Sequence, residues 1–162
     1  MLAAQAAPDT GAWHSKVRRL RDYWQSIHPP GGGLPGRQHL DPLDIADLLP
    51  LVWMVDVQPE PLRFRYRLLG TLHVAAMGRD YTGRWLDEAH ENFLTHAAYP
   101  HYVSVVRDKV PSYRKGKPGF HVDPELYEME RVLLPMARNG ADVDLILAIT
   151  VYFLRSRQEA FR

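Results

Sequence analysis

The chain has 162 residues, a formal net charge of +1 and 46% apolar residues, which is an ordinary composition for one globular domain. This balance gives no electrostatic reason to expect a nucleic-acid partner. The chain has no cysteine, which excludes disulfides, thiolate metal sites, thiol nucleophiles and cysteine-anchored chromophores. The sequence contains no apolar run long enough to span a bilayer, so we expect no membrane association and a cytoplasmic location.

The first predicted element is an amphipathic helix over residues 13–28, which follows a flexible tail at residues 1–12. Apolar residues recur there at steps of four and three, the spacing of one narrow apolar face on a helix. This face, called the apolar seam below, consists of Trp13, Val17, Leu20, Trp24 and Ile27. It is too apolar to be left in water, so either the domain's own core or a second chain must cover it.

Residues 29–40 are predicted to form a linker, because this segment opens with two prolines and three glycines. A flexible joint of this kind would not hold the helix at one angle. We therefore expect the apolar seam to form a symmetric homodimer contact, in which each helix packs on its mate and on both sheets.

The core is predicted over residues 41–156 and begins with a short helix and a β-hairpin. Asp41 is suited to cap the helix, since its carboxylate can accept a hydrogen bond from the backbone that follows. A buried strand over residues 51–57 and an alternating strand over residues 63–69 then form the hairpin. The apolar face of the second strand is predicted to consist of Phe64, Tyr66 and Leu68.

Short helices and then three strands are predicted to complete the core. The helices are expected over residues 72–77, 85–89 and 92–110, the last interrupted by Pro100. The strands are expected over residues 112–114, 126–137 and 143–153, with a hairpin at Asn139-Gly140. Pro135 has no N–H to donate, so we expect it at a bulge or an unpaired edge position. Residues 157–162 are predicted to be a second tail.

Three segments resemble the PAS-like domain family common in alphaproteobacteria: residues 65–71 (RYRLLGT), 78–84 (GRDYTGR) and 130–135 (ERVLLP). The upstream pairs Tyr23-Trp24 and Asp41-Pro42, and LLP at residues 48–50, resemble the start of the same family. The resemblance implies an α+β fold with a five-stranded antiparallel sheet and short helices on one face, preceded here by the amphipathic N-terminal helix. Family members are stand-alone sensory or signalling modules, and the resemblance carries over no catalytic residue.

In the PAS arrangement the inward face of the sheet and the short helices enclose a pocket. The resemblance implies a lining drawn from Trp53 or Met54, Tyr66, Leu68, His73, Met77, Trp85, Tyr102, Tyr127 and Met129. Tyr66 and His73 are the predicted polar contacts, because each brings a hydrogen-bonding tip into an apolar lining. Large aromatic side chains can also simply fill a core, so an open pocket and a filled core remain alternatives.

No metal ion and no flavin or coumaroyl adduct is expected, and the identity of any other cofactor stays open. His96 and His101 have Pro100 between them, and neither this pair nor His90 with His121 has the spacing of a zinc site. The light-sensing proteins of similar fold attach their chromophore through a thiol, which this chain lacks.

The sequence thus predicts a non-catalytic sensor that binds a small molecule or a signalling protein partner and acts through dimer geometry. The arginines of the second strand suit a solvated sheet face better than a nucleic-acid stripe. One alternative is a ligand-free protein-interaction module with a filled core. A second is a small isomerase-like enzyme with an Asp or His in the pocket, which is disfavoured because no recognisable pair of titratable groups is present.

Overall fold

The computed structural model of the chain describes residues 9–120 and 123–161. Its helices are α1 (Ser15–Ser26), α2 (Thr71–Met77), α3 (Leu86–Ala89) and α4 (Tyr99–Asp108), with short 3-10 turns at Arg37–His39, Pro42–Ile45 and Phe93–Thr95. Its strands are β1 (Val52–Pro59), β2 (Leu62–Leu69), β3 (Ser112–Gly116), β4 (Leu126–Met136) and β5 (Leu145–Leu154). The strands form one antiparallel sheet in the order β2-β1-β5-β4-β3. The predicted α+β class and five-stranded antiparallel sheet are confirmed.

The central strands β1, β5 and β4 are buried on both faces, and each face carries its own apolar cluster. One cluster joins α1 to the side chains of Leu147, Ile149 and their neighbours. The other joins the opposite face, including Ile146 and Ala148, to α2, α3 and α4. This alternation follows from the two-residue period of a strand, which sends successive side chains of β5 to opposite faces.

Helix α1 packs on the sheet of its own chain. Val17 and Leu20 are fully buried, and Trp24 is 4% exposed. The Trp24 indole Nε1 donates a hydrogen bond to the Pro135 carbonyl oxygen at 2.9 Å. The pairing of β3 with β4 ends at Leu133, so this carbonyl is free of a neighbouring strand. Pro135 pairs with Ile146 of β5 but has no strand partner on its other side, so the predicted unpaired position is found on that side only, and not at an edge of the sheet.

The prediction that the linker would be too flexible to hold α1 is corrected by two backbone contacts. The Leu34 N–H donates to the Gly140 carbonyl at 2.8 Å, and the Ala137 N–H donates to the Pro35 carbonyl at 2.9 Å. These bonds fasten the segment to the β4–β5 turn. The apolar seam is buried within the chain, with Trp13 and Trp24 in the core and Ile27 packed against it. The exposed apolar face that motivated the predicted dimer contact is therefore absent.

The predicted apolar face of β2 is corrected at Leu68 by a β-bulge. Val55 pairs with Tyr66 and Met54 with Leu68, so Arg67 is an extra residue. One extra residue moves every later side chain to the opposite face. Leu68 is consequently 40% exposed, whereas Leu69 packs against the cluster beneath α2–α4.

This bulge gives a direct test in two alanine variants. Leu68→Ala is expected to change the free energy of unfolding by less than about 0.5 kcal/mol, because the side chain already lies in solvent. Leu69→Ala is expected to cost about 1 to 2 kcal/mol, because its side chain is partly buried against the core. Urea denaturation measures both, and a strand without the bulge would give the reverse order.

Two further differences from the sequence prediction concern helix α4 and the C-terminal segment. Pro100 lies in the first turn of α4, where a missing N–H costs nothing, so it begins this helix rather than interrupting one. The predicted tail folds back on β5, with the Ala160 N–H donating to the Tyr152 carbonyl at 2.8 Å. Glu159 forms an ion pair with Lys16, and its carboxylate lies 3.3 Å from the His14 Nε2 at the start of α1. Residues 1–8 of the first predicted tail and Arg162 of the second lie outside the described residues.

Among the helices of the described segments, none has the length and apolar character needed to cross a membrane.

Candidate functional site

A cavity of about 40 Å³ lies on the sheet face opposite α1, between the sheet, α2, α4 and the segment at residues 118–120. A single water needs about 10 to 15 Å³ of such space, so the cavity holds a few waters or a group of similar size. Six of the side chains predicted for the pocket line it: Trp53, Tyr66, His73, Met77, Tyr102 and Met129. Met54, the alternative to Trp53, faces the α1 cluster instead.

Three predicted lining residues lie elsewhere. Leu68 is turned to the other face by the bulge in β2. Trp85 lies at the outer edge of β2, where it bridges to Arg65 and where the Arg63 guanidinium stacks 4.2 Å from its ring centre. Tyr127 is 48% exposed, because β4 has an irregularity between Leu126 and Glu128 that leaves Tyr127 without a partner in the β5 register. These three residues are not part of the cavity.

Strands β1 and β5 supply the base of the cavity through Trp53 and Thr150. The Trp53 Nε1 donates to the Thr150 Oγ1 at 2.9 Å. The same indole stacks on the His73 ring with 5.2 Å between ring centres and an interplanar angle of 3°. The Trp53 indole is thereby held between Thr150 and His73.

His73 reaches this place because α2 begins directly after β2, at Gly70. A Cβ at Gly70 would lie 2.4 Å from the carbonyl oxygens of Leu49 and Pro50, so only glycine allows this close approach. The Leu72 N–H then donates to the Pro50 carbonyl at 2.9 Å. This contact fixes the first turn of α2 against the sheet and points His73 into the core.

The His73 imidazole is 5% exposed and shares a 3.0 Å hydrogen bond between its Nδ1 and the Tyr152 hydroxyl. Burial lowers the pKa of His73 to about 3, because a charged imidazolium would lose its hydration. Burial likewise raises the pKa of Tyr152. Both groups are therefore neutral at pH 7 and act as a hydrogen-bonding pair.

Tyr66 and Phe120 line another side of the cavity, and both contact His90, which lies outside the lining. The Tyr66 hydroxyl lies 2.7 Å from the His90 Nε2. Phe120 stacks on His90 with 4.2 Å between ring centres. Burial, with a smaller contribution from His96, lowers the pKa of His90 to about 4. This side is thus also uncharged at neutral pH.

Arg131, on β4, is a buried charged group of the cavity lining. It is 4% exposed, and its Nε and Nη2 atoms have no hydrogen-bond partner among the described residues. Its neighbour across the strands is Arg114 of β3, which also lines the cavity. Burial lowers the pKa of Arg131, yet a guanidinium with an ordinary pKa above 12 stays protonated at neutral pH. The cavity therefore has a cationic side.

Arg114, Arg131, Thr150 and Tyr152 also line the cavity and were not among the predicted lining residues. Both faces of β5 are buried, and Thr150 and Tyr152 lie on the face towards the cavity. The sequence offers no local signal for Arg131, because it follows Glu128 and Glu130 in the charged part of β4 and precedes the apolar run that begins at Val132.

Among the residues that the structure describes, no three His, Asp or Glu side chains are grouped so that they could hold a metal ion. His96 accepts a hydrogen bond from the Ala98 N–H, and His101 contacts the Ser112 hydroxyl at 3.0 Å. His121 lies outside the described residues.

Comparison with known proteins places this arrangement in a family. The family model described as PAS domain matches residues 12–151, a range that includes α1 and every residue lining the cavity except Tyr152. No curated protein and no solved structure gave a significant match. The sheet, the short helices over one face and the family match agree, and the chain belongs to the PAS domain family.

Proposed function

We propose that this PAS domain is a non-catalytic sensory module that binds a small molecule in the cavity beneath α2 and α4. The observation that carries the proposal is the set of polar groups in this otherwise aromatic cavity: Tyr102, Arg131, Thr150 and the His73–Tyr152 pair. Ligand sites typically combine an apolar lining with a few placed polar groups of this kind. Polar groups are costly to bury unless they are hydrogen-bonded, and charged groups unless they are also paired.

A change in the cavity has a physical route to α1. Tyr152 contributes to the cavity, and its backbone carbonyl accepts the hydrogen bond from Ala160. The adjacent Glu159 forms an ion pair with Lys16 and contacts His14 at the start of α1. We propose that occupancy of the cavity alters this contact and so the position of α1, whose exposed side meets a signalling partner or a second copy of the chain.

The small volume of the cavity favours one alternative, a ligand-free protein-interaction module. Pockets for drug-sized ligands measure about 300 to 1,000 Å³, whereas this cavity measures about 40 Å³. Phe64, Phe93 and Tyr102 pack edge to face nearby, as in a filled core. The proposed ligand is accordingly very small, or binding opens the cavity further.

The test is a cavity-filling variant. Ala98 lines the cavity and is 2% exposed, so Ala98→Val inserts two methyl groups into the space that a ligand would take. Ala89→Val, on α3 and outside the cavity lining, is the matched control. We expect ligand-observed NMR with a set of neutral and charged fragments of two to six heavy atoms to detect binding to the wild type and to Ala89→Val, with binding lost in Ala98→Val.

Native mass spectrometry of the freshly purified wild type adds the mass of any retained molecule and the oligomeric state. If no fragment binds the wild type, or if Ala98→Val binds as well as the wild type, the ligand-sensing proposal is wrong and the filled-core alternative replaces it.

A further inference from the structure

Arg131 and Arg63 differ in whether the Nε and Nη2 atoms of the guanidinium have hydrogen-bond partners. The Arg63 Nε and Nη2 atoms donate to the two carboxylate oxygens of Asp87, at 2.9 Å and 2.7 Å. This side-on, two-bond pairing is the geometry in which arginine binds carboxylates best. In Arg131 the corresponding Nε and Nη2 atoms are buried and have no partner among the described residues.

An unpaired buried guanidinium is an energetic anomaly. Charged groups in protein interiors are normally paired, because the loss of hydration is not otherwise repaid. Each ion pair of the described residues is formed by a cation other than Arg131. The guanidinium carbon of Arg131 lies 5.8 Å from the centre of the Tyr102 ring, a distance at which a cation–π interaction compensates the charge only weakly. Arg114 lies directly opposite across the strands and adds a second positive charge.

Resting on the proposed function that the cavity binds a small molecule, we propose that the ligand is a small organic acid whose carboxylate pairs with the Nε and Nη2 atoms of Arg131. Arg114 contributes positive charge beside the same carboxylate. Trp53, Tyr102 and Phe120 supply an apolar surface for the carbon chain of the acid. The volume of about 40 Å³ restricts the ligand to a short-chain monocarboxylate unless the cavity enlarges.

The same arrangement explains how binding would produce a signal. Both unpaired nitrogens are shielded from solvent, so a carboxylate reaches them only when neighbouring side chains rearrange. Binding then replaces an unpaired charge with a paired one, and the ligand-bound arrangement gains a charge-assisted interaction that the empty one lacks.

The first experiment compares acids with their uncharged analogues. Isothermal titration calorimetry of the wild-type protein uses acetate and propionate, with acetamide and propionamide as isosteric neutral controls and with chloride and inorganic phosphate as other anions. For ligands of this size we expect a Kd between about 50 μM and 10 mM for the better acid. The amides are expected to bind at least about 30-fold more weakly, because they present no charge to Arg131.

The second experiment removes the guanidinium. Arg131→Met and Arg131→Gln are expected to weaken binding of the acid at least about 30-fold. Arg131→Met is also expected to raise the melting temperature of the unliganded protein by about 2 to 8 °C, because it removes an unpaired buried charge. The matched control is Arg63→Met, which loses the pair with Asp87 but lies outside the cavity lining. Its affinity for the acid is expected to stay within about twofold of the wild type.

Failure of this inference is distinguishable from failure of the proposed function. If amides bind as well as acids, if phosphate or chloride competes equally with the acids, or if Arg131→Met retains wild-type affinity, the carboxylate proposal is overturned while a ligand-binding cavity stands. A lower melting temperature in both Arg131 variants would also overturn it, since the charge would then be compensated within the protein. If neither acids nor amides nor any other fragment binds, both proposals fail together.

Discussion

Replacing Trp24 by alanine is expected to lower the free energy of unfolding by about 3 to 5 kcal/mol, the cost of removing a large aromatic side chain from a packed core. Trp24 is 4% exposed and belongs to the cluster that joins α1 to the sheet. Its indole N–H also satisfies the Pro135 carbonyl. Since whole domains are stable by only about 5 to 15 kcal/mol, this variant should unfold at a much lower urea concentration. Far-UV circular dichroism is the appropriate measurement, because it does not depend on the tryptophan that is removed.

The matched variant is Trp24→Phe, which keeps an aromatic ring but leaves the Pro135 carbonyl without the indole donor. We expect it to cost about 1 to 3 kcal/mol, mostly from the unpaired buried carbonyl. A loss below about 1 kcal/mol for Trp24→Ala would contradict the packing of α1 on its own sheet.

Sedimentation equilibrium of the same proteins addresses the dimer that the sequence predicted. If the apolar seam were a dimer contact, Trp24→Ala would produce a stable monomer from a wild-type dimer. The structure leads us to expect instead that Trp24→Ala lowers stability without changing the number of chains in the particle. We expect any dimer of this chain to use a surface other than the apolar seam, because the seam is buried against the sheet of its own chain.

The order of the elements was predictable because each one carries a local signal. Alternating and β-branched residues marked the strands, and Asp41 caps its turn through the Leu43 N–H as the sequence suggested. Gly78 closes α2 at φ 81°, a conformation that glycine adopts without strain. Each of these signals involves only a few neighbouring residues. The local structure that it predicts therefore does not depend on contacts with distant parts of the chain.

The docking of α1 and the face assignment of β2 were not predictable, because both depend on distant contacts. The amphipathic pattern of α1 shows which face is buried but not which chain covers it. The hydrogen bonds of Leu34 and Pro35 to the β4–β5 turn, more than a hundred residues away, hold the helix against its own chain. A bulge at Arg67 leaves no mark in the alternation of the sequence, yet it moves Leu68 out of the predicted pocket.

The candidate site was predicted in its aromatic part and missed in its charged part. Trp53, Tyr66, His73 and Tyr102 could be placed, because the resemblance to PAS-like domains implied which strands and helices enclose a pocket. Arg131 could not, because a burial pattern in sequence is inferred by assuming that charged residues face solvent. That assumption fails where a buried charge has a role in binding, which is the role proposed here for Arg131.

Acidification is expected to destabilise the protein strongly between pH 6.5 and pH 4, and His73 makes a large contribution to this loss. Burial holds the pKa of His73 at about 3 in the folded protein, against about 6.5 in the unfolded chain. Between these two pKa values, His73 binds a proton in the unfolded state but not in the folded state. Stability from this difference is fully present above pH 6.5 and is lost as the pH falls towards 3. At pH 4 the loss from His73 alone is about 3 kcal/mol.

The variant His73→Gln separates this effect from the titration of carboxylates, which also lowers stability in acid. Glutamine stays neutral at every pH and offers polar atoms to the Tyr152 hydroxyl, so the variant keeps a hydrogen-bonding partner without the titration. Urea denaturation of both proteins at several pH values from 7 to 4 gives the difference between the two curves. We expect the wild type to lose about 3 kcal/mol more than the variant over this range, as one proton difference requires. Parallel curves would mean that the pKa of His73 is the same in the folded and unfolded protein. The assignment of a neutral His73–Tyr152 pair in the cavity would then be wrong. His90, whose pKa burial also lowers, to about 4, titrates in both proteins and therefore cancels from the comparison.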